Sequence, residues 1–380
     1  MLSSYILFSI GQKDIKKLLA YCSVENIGII MIGMGLGVAG VSFDYPRIAL
    51  FGFAGALLHV LNHALFKGLL FLGAGAIIRE TGTGEIDKLG GLLKKMPLTG
   101  TLFLLGSLAI SGLPLFNGFI SELFIYAGAI IGAVSSEGAI LPMVSALAIL
   151  SLALTGGLAA AGFTKLFGTV FLGRGRTESL TEILPVPGMM KTGMIFLIPL
   201  IVLIGMASFL VLSFLERPIL LLTGEAILPA FLQLKDITST LSLILGFILG
   251  AMIICFFIYR LKVRGKAVVQ SETWGCGISG GDASVQYTGS SFTAPITERF
   301  GSLLAARKEL HADEKIFPQK SWHLKTRVED WFLSGVFIKI IQVLDKGLAL
   351  LRWFQCGKAG IYVLYIALTV LILIIWKFLI

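Results

Sequence analysis

The chain has 380 residues, 56% of them hydrophobic and only 14% charged, and its mean hydropathy is +0.91. That excludes an ordinary soluble domain and places the sequence among integral membrane proteins, whose length is counted in spans of about 20 residues. A net charge of +9 would suggest nucleic acid as the partner of a soluble protein. Here the lysines and arginines gather in loops, where topology and anionic lipid headgroups account for them, and no nucleic-acid motif is present.

Met1 to Ile10 is apolar but too short to span, and it lacks the basic start and cleavage site of a signal peptide. Residues 1–17 therefore read as the tail of a helix and a loop, with the chain expected to be the later part of a longer protein. Segments long enough to span follow at 18–42, 47–78, 97–112, 118–134, 140–171, 191–214, 237–261 and 359–380, giving an all-α polytopic transmembrane helical bundle of about eight spans. One helix over 97–134 would run roughly 57 Å. SGLPLFNG (Ser111 to Gly118) interrupts it, so a broken helix is expected near 111–118. Backbone left open at membrane depth is tolerated only where protein or a hydrated cavity receives it, which points to a transport site. Gly33, Gly37, Gly52, Gly73, Gly75, Gly156 and Gly157 fall inside spans, where small residues let helices approach.

Residues 172–261 supply additional transmembrane helices, 262–358 a polar insertion and 359–380 a terminal span. The insertion ends in 325–354, where Val328, Phe332, Val336, Ile340, Leu344, Leu348 and Leu351 recur at three- or four-residue spacing. That pattern predicts an amphipathic lateral helix on the membrane surface or against a partner. Basic loops on the two sides nearly balance, and the insertion is assigned to the cytoplasmic side. Cys22, Cys255, Cys276 and Cys356 stand singly, without the spacing of a zinc site or a disulfide framework. No cofactor or metal is assigned to the chain, and any electron transfer belongs on another polypeptide. No nucleophile motif or phosphate loop of a soluble enzyme is present.

HVLNHALFKGLLFL sets His59, His63 and Lys67 four residues apart. Each step advances about 400° and rises about 6 Å, so the three climb one helix face as a ladder. Lys67 lies roughly 16 Å of rise from the segment end near Ile78, beyond comfortable snorkelling, so its amine must be paired or hydrated. Histidine ordinarily titrates near neutrality, and the ladder reads as a proton relay. The plain alternative is packing histidines and a lysine that fixes helix registry. Glu122, one turn past the break, is either a complement to the helix dipole or the next proton-binding group. Glu25 reads as a secondary candidate or a solvated interface residue. Lys165 sits about six residues from its segment end, where it is expected to snorkel, with a secondary role as the alternative. Lys16 and Lys17 read as headgroup anchors.

Together KDIKKLLAYCSVENIGII, HVLNHALFKGLLFLGAGAII and SGLPLFNGFISELFI resemble the antiporter-like proton-translocating subunits of respiratory complex I, multisubunit sodium/proton antiporters and membrane-bound hydrogenases. ETWGCG (272–277) and VQYTGSSFTAPI (285–296) resemble hydrogenase-4 component B and formate hydrogenlyase subunit 3 more narrowly. The resemblance implies two inverted five-helix repeats, each with a broken helix and half a proton path. Residues 18–171 correspond to the second repeat, and the first has no counterpart here. It carries the central lysine and its histidines onto Lys67, His63 and His59, and the charge of the broken helix onto Glu122.

The implied function is proton translocation in a redox-driven complex of a prokaryotic cytoplasmic membrane. The implied partners are other membrane subunits, redox subunits carrying Fe-S clusters or NiFe, and a polypeptide supplying the first repeat. Sodium/proton exchange without electron transfer and a structural scaffold are the rival functions.

Overall fold

The computed structural model describes residues 8–135, 138–177, 185–266, 286–301, 307–312, 322–327, 333–349 and 359–379. Among the described residues the protein is an all-α polytopic helical bundle that carries one two-stranded sheet. Its longer helices among the described residues are α1 (Ile15–Ser42), α2 (Pro46–Thr81), α3 (Pro97–Ile110), α4 (Asn117–Ser135), α5 (Ile140–Phe171), α6 (Gly188–Met206), α7 (Ser208–Thr223), α8 (Leu228–Val263), α9 (Gly289–Arg299), α10 (Ile338–Ala349) and α11 (Ala359–Leu379). Among the described residues six helical stretches are long and apolar enough to cross a membrane, and α3 and Leu368–Lys377 are shorter apolar helices. Contacts divide the chain into two units, one ending at Val328 and one beginning at Glu329.

In the first unit α2 is the central helix and packs on α1, α3, α4, α6 and α7. Small residues make the α1–α2 seam possible. A Cβ on Gly52 would stand 2.4 Å from the backbone nitrogen of Gly37, and one on Gly40 would stand 2.3 Å from that of Ala49. With no hydrophobic driving force between helices in lipid, such backbone approach supplies the dispersion contacts that hold them. The expectation fails at Gly156 and Gly157, which meet nothing within 4 Å; a glycine in a span signals packing only where a partner helix faces it. Asp14 caps α1 by accepting from the Lys17 backbone nitrogen at 3.0 Å. Gly82 ends α2 in the left-handed conformation at φ 71°.

The break between α3 and α4 is present. Gly112 (φ 66°) and Leu115 (φ 79°) both take left-handed backbone, a conformation that costs a leucine about 1–2 kcal/mol. Gly205 of α6 holds that loop: a Cβ there would stand 2.4 Å from the Leu115 carbonyl oxygen. The single span expected at 191–214 is instead two helices meeting at Ala207, whose backbone leaves the helical region. A one-residue corner between two apolar runs leaves no trace in hydropathy. The span expected at 237–261 begins earlier, at Leu228, and most of its side chains are exposed, as on a helix facing lipid.

Within the polar insertion, β1 (Arg307–Ala312) and β2 (Trp322–Arg327) pair antiparallel, with Leu310 opposite Leu324. The helix expected at 325–354 therefore starts later. Residues 325–327 lie in β2, a π-helical turn covers Leu333–Phe337, and α10 runs from Ile338 to Ala349. Residues 328–332 and 350–354 of that expectation lie outside the described residues, as does ETWGCG. The second unit contains α10, with exposed Ile340, Ile341, Leu344 and Leu348, and the apolar α11.

Candidate functional site

The ladder lies on the central helix. Lys67 is fourteen residues from the end of α2 at Thr81, roughly 21 Å of rise. Its side chain is 5% exposed, and Nζ donates to the Leu19 carbonyl oxygen of α1 at 2.7 Å. The amine also lies 6.0 Å from the centre of the Phe71 ring. Among the described residues Lys67 forms no ion pair. Its acidic neighbour is Glu25 of α1, 1% exposed, within electrostatic reach of both Lys67 and Glu122 and facing Cys22. Glu25 Oε2 has no hydrogen-bond partner among the described residues. Glu25 is thus no solvated interface residue: the inward face of α1 carries it into the core beside the lysine.

His63 is half-buried, its ring edge-on to Phe66 with centroids 5.7 Å apart, and its Nε2 is buried without a partner. His59 is fully buried and fully bonded. Nδ1 meets Ser121 Oγ at 2.9 Å, and Nε2 meets Asn26 Oδ1 at 3.2 Å. Asn62, one turn on, donates through Nδ2 to the Asn117 carbonyl at 2.7 Å and to Ser121 Oγ at 2.9 Å. These bonds tie α1 and α2 to the first turn of α4 immediately after the break.

Glu122 projects from that same turn. Gly112 lies so close that a Cβ there would stand 2.9 Å from Glu122 Oε2. The left-handed glycine in the break therefore makes room for the carboxylate. Lys67, His63, His59, Glu25 and Glu122 thus fall in one region where α1, α2 and α4 meet. Chemically it holds an amine, a carboxyl with one unpartnered oxygen, a second carboxyl and two imidazoles within an apolar bundle, groups that can pass protons and hold no metal cluster among the described residues. Sequence reading missed Asn26, Asn62, Asn117 and Ser121. Their only signal was polarity inside apolar runs, without charge.

Lys165 lies elsewhere and does not snorkel. It is 1% exposed, and Nζ donates to the Ile10 and Gln12 carbonyls at 2.6 and 2.7 Å. The carbonyls at the end of the helical stretch at 8–11 need donors, and the lysine supplies them. Ser9 connects the two lysine regions, meeting Cys22 Sγ at 2.9 Å and donating to the Leu18 carbonyl at 3.3 Å. Beyond Lys165 the motif stretch 286–296 docks on the bundle. Asp87 accepts from the Gly289 nitrogen at 2.7 Å and from Ser290 Oγ at 2.8 Å, and Gln286 bonds both the nitrogen and the oxygen of the Arg174 backbone at 2.9 Å.

Residues 4–151 match the family described as NADH:quinone oxidoreductase/Mrp antiporter, transmembrane. The chain is 33% identical to hydrogenase-4 component B of Escherichia coli (strain K12), covering 97% of this chain and 56% of that one. It is likewise 33% identical to formate hydrogenlyase subunit 3 of the same strain, over 82% of this chain and 50% of that one. A solved structure of the membrane-bound sulfane sulfur reductase, an archaeal respiratory membrane complex, shares the fold with a TM-score of 0.59. That likeness is at 23% identity and covers 98% of this chain and 54% of that chain. The chain spans about half the length of the curated relatives it matches.

Proposed function

We propose, from the match of residues 4–151 to the NADH:quinone oxidoreductase/Mrp antiporter transmembrane family, that the chain is a member of it and relays protons as a membrane subunit of a redox-driven complex, a membrane-bound hydrogenase or formate hydrogenlyase. Residues 18–171 form its second antiporter-like repeat and carry half of the path. The observation that carries the reading is the Lys67 amine, 5% exposed in mid-span and bonded to a main-chain carbonyl, with the unpartnered Glu25 carboxylate oxygen beside it. A buried amine and carboxyl so incompletely satisfied are costly to keep for packing alone.

In this reading Lys67 holds the proton at the centre of the file. His63 lies one turn before it, its free Nε2 offering a site for water or a proton. Glu25 and Glu122 set the charge that decides whether Lys67 keeps or yields its proton, and His59 anchors the file to the broken helix. Lys165, the other secondary candidate, holds the 8–12 segment. A change of charge or shape transmitted from the redox arm shifts the balance between protonation states and moves a proton one step. The electron chemistry sits on partner subunits carrying Fe-S clusters or NiFe. A first repeat, in further sequence or on another polypeptide, completes the crossing. The membrane is the prokaryotic cytoplasmic membrane, with the polar insertion on the cytoplasmic side.

The test is Lys67→Ala in the intact complex, with redox turnover and proton uptake into inverted vesicles measured together. Assembly and electron transfer persist and uptake is lost. Uptake at the level of the parent protein rejects the reading, and sodium-dependent uptake in vesicles without a redox partner replaces it with cation exchange.

A further inference from the structure

Two amide orientations settle where the hydrogens lie around His59. Asn26 Nδ2 donates to the Cys22 carbonyl at 2.7 Å, so turning the amide over would press oxygen against oxygen. Asn26 Oδ1 is therefore the atom facing His59 Nε2, and Nε2 carries the hydrogen. In the neutral ring Nδ1 is then an acceptor, and its partner at 2.9 Å, Ser121 Oγ, must donate to it. Asn62 cannot take that place. Its Nδ2 is fixed toward the Asn117 carbonyl and gives its other hydrogen to Ser121 Oγ, filling an acceptor position on the hydroxyl. Ser121 has one hydrogen and a second acceptor in reach, the Gly118 carbonyl at 3.0 Å. All four side chains are buried to 1% exposure or less, so bulk water does not compete for these bonds.

We infer that the Ser121 hydroxyl is a two-position donor that lets His59 change its proton count without leaving a buried polar atom unpaired. This rests on the proton-relay reading above. In the neutral state Ser121 O–H points to His59 Nδ1. When a hydronium of the file gives its proton to Ser121 Oγ, the serine's own hydrogen crosses the existing bond to Nδ1, the one ring nitrogen without a hydrogen: the old O–H breaks as the N–H forms, a new O–H replaces it, and a water is left behind. The new Ser121 O–H turns onto the Gly118 carbonyl, and Oγ accepts from Nδ1–H. Nε2–H stays on Asn26 Oδ1, and Asn62 keeps donating to Oγ throughout. Release reverses each step: the Nδ1 hydrogen returns to Oγ as the other hydroxyl proton leaves to water, and the serine ends with the hydrogen it began with. Ser121 both passes the proton to His59 and sets the hydrogen bonding of its ring. Gly118 lies in the first turn of α4, so the exchange also alters the hydrogen bonding of the broken helix where it restarts.

The experiment is nitrogen-15 solid-state NMR of the intact complex with labelled histidine, the His59 signals being assigned from a His59→Gln sample, alongside proton uptake. The parent protein gives a protonated Nε2 and a hydrogen-bonded, unprotonated Nδ1. Ser121→Ala keeps the Nε2–H form, loses the hydrogen-bond shift at Nδ1 and slows uptake about tenfold or more. Ser121→Thr restores both. A hydrogen on Nδ1 in the neutral ring overturns the inference, as does full uptake by Ser121→Ala while Lys67→Ala remains inactive. Full uptake by both variants instead rejects the relay reading itself, and the NMR assignment of the tautomer stands or falls independently of it.

Discussion

Among the described residues two lysines lie buried, and they differ in what surrounds the amine. Lys165 gives hydrogen bonds to two carbonyls, Ile10 and Gln12, and the nearby Asp87 is already bonded to Gly289 and Ser290. Lys67 has one carbonyl partner, and the carboxylate beside it has an oxygen with no partner among the described residues. An ammonium whose neighbours are saturated behaves as a staple. One whose neighbours are half-satisfied sits in a site that gains by admitting water or exchanging a proton. Burial alone does not separate the two, since Lys165 is the more enclosed at 1% exposure against 5%. Partner supply does.

That contrast predicts a graded series. Lys67→Ala removes the central amine and lowers proton uptake about a hundredfold or more, with assembly intact on native gels. Glu25→Gln keeps the shape and removes the charge, and uptake falls about tenfold, equivalent to about 1.4 kcal/mol in the barrier. An unchanged rate would make Glu25 a bystander and leave Lys67 without an acidic partner on α1. Lys165→Met leaves two carbonyls without their donor, at a cost of about 1–3 kcal/mol. It should appear as a lower unfolding midpoint and faster proteolysis near residue 12, with uptake reduced less than by Glu25→Gln. Loss of uptake at unchanged stability would instead move Lys165 into the relay. The smallest effect is expected of Gln286→Ala, which deletes two exposed bonds to Arg174 and costs within about 1 kcal/mol. It is read by limited proteolysis between α8 and α9.

Much of this was legible in the sequence because the bilayer imposes a coarse, one-dimensional code. Span length and hydropathy locate α1, α2, α4 and α5 to within a few residues, and the proline and glycine of SGLPLFNG mark the break. The corner at Ala207 escaped that code because both flanks are equally apolar, and the start of β2 escaped it because three residues of a ladder resemble the first turn of an amphipathic helix. At the site, charge in an apolar run flagged Lys67, Glu25 and Glu122, but not the neutral residues that organise them. Asn26, Asn62 and Ser121 act through directional bonds across helices, and only packing reveals which faces meet. The Lys165 side chain was misjudged for a related reason: reach to the surface was estimated, while the carbonyls of a segment more than 150 residues away were invisible.

Gly205 has a consequence for how the protein can be divided. It belongs to α6, beyond the helices that hold the ladder, yet its bare backbone is the seat for Leu115 in the unwound stretch. A gene product shortened to end at residue 171 would keep every ionisable group of the ladder and lose the brace under its hinge. Such a product should insert into membranes yet leave Glu122 without a defined station, so the helices that look like appendages are part of the bundle's frame.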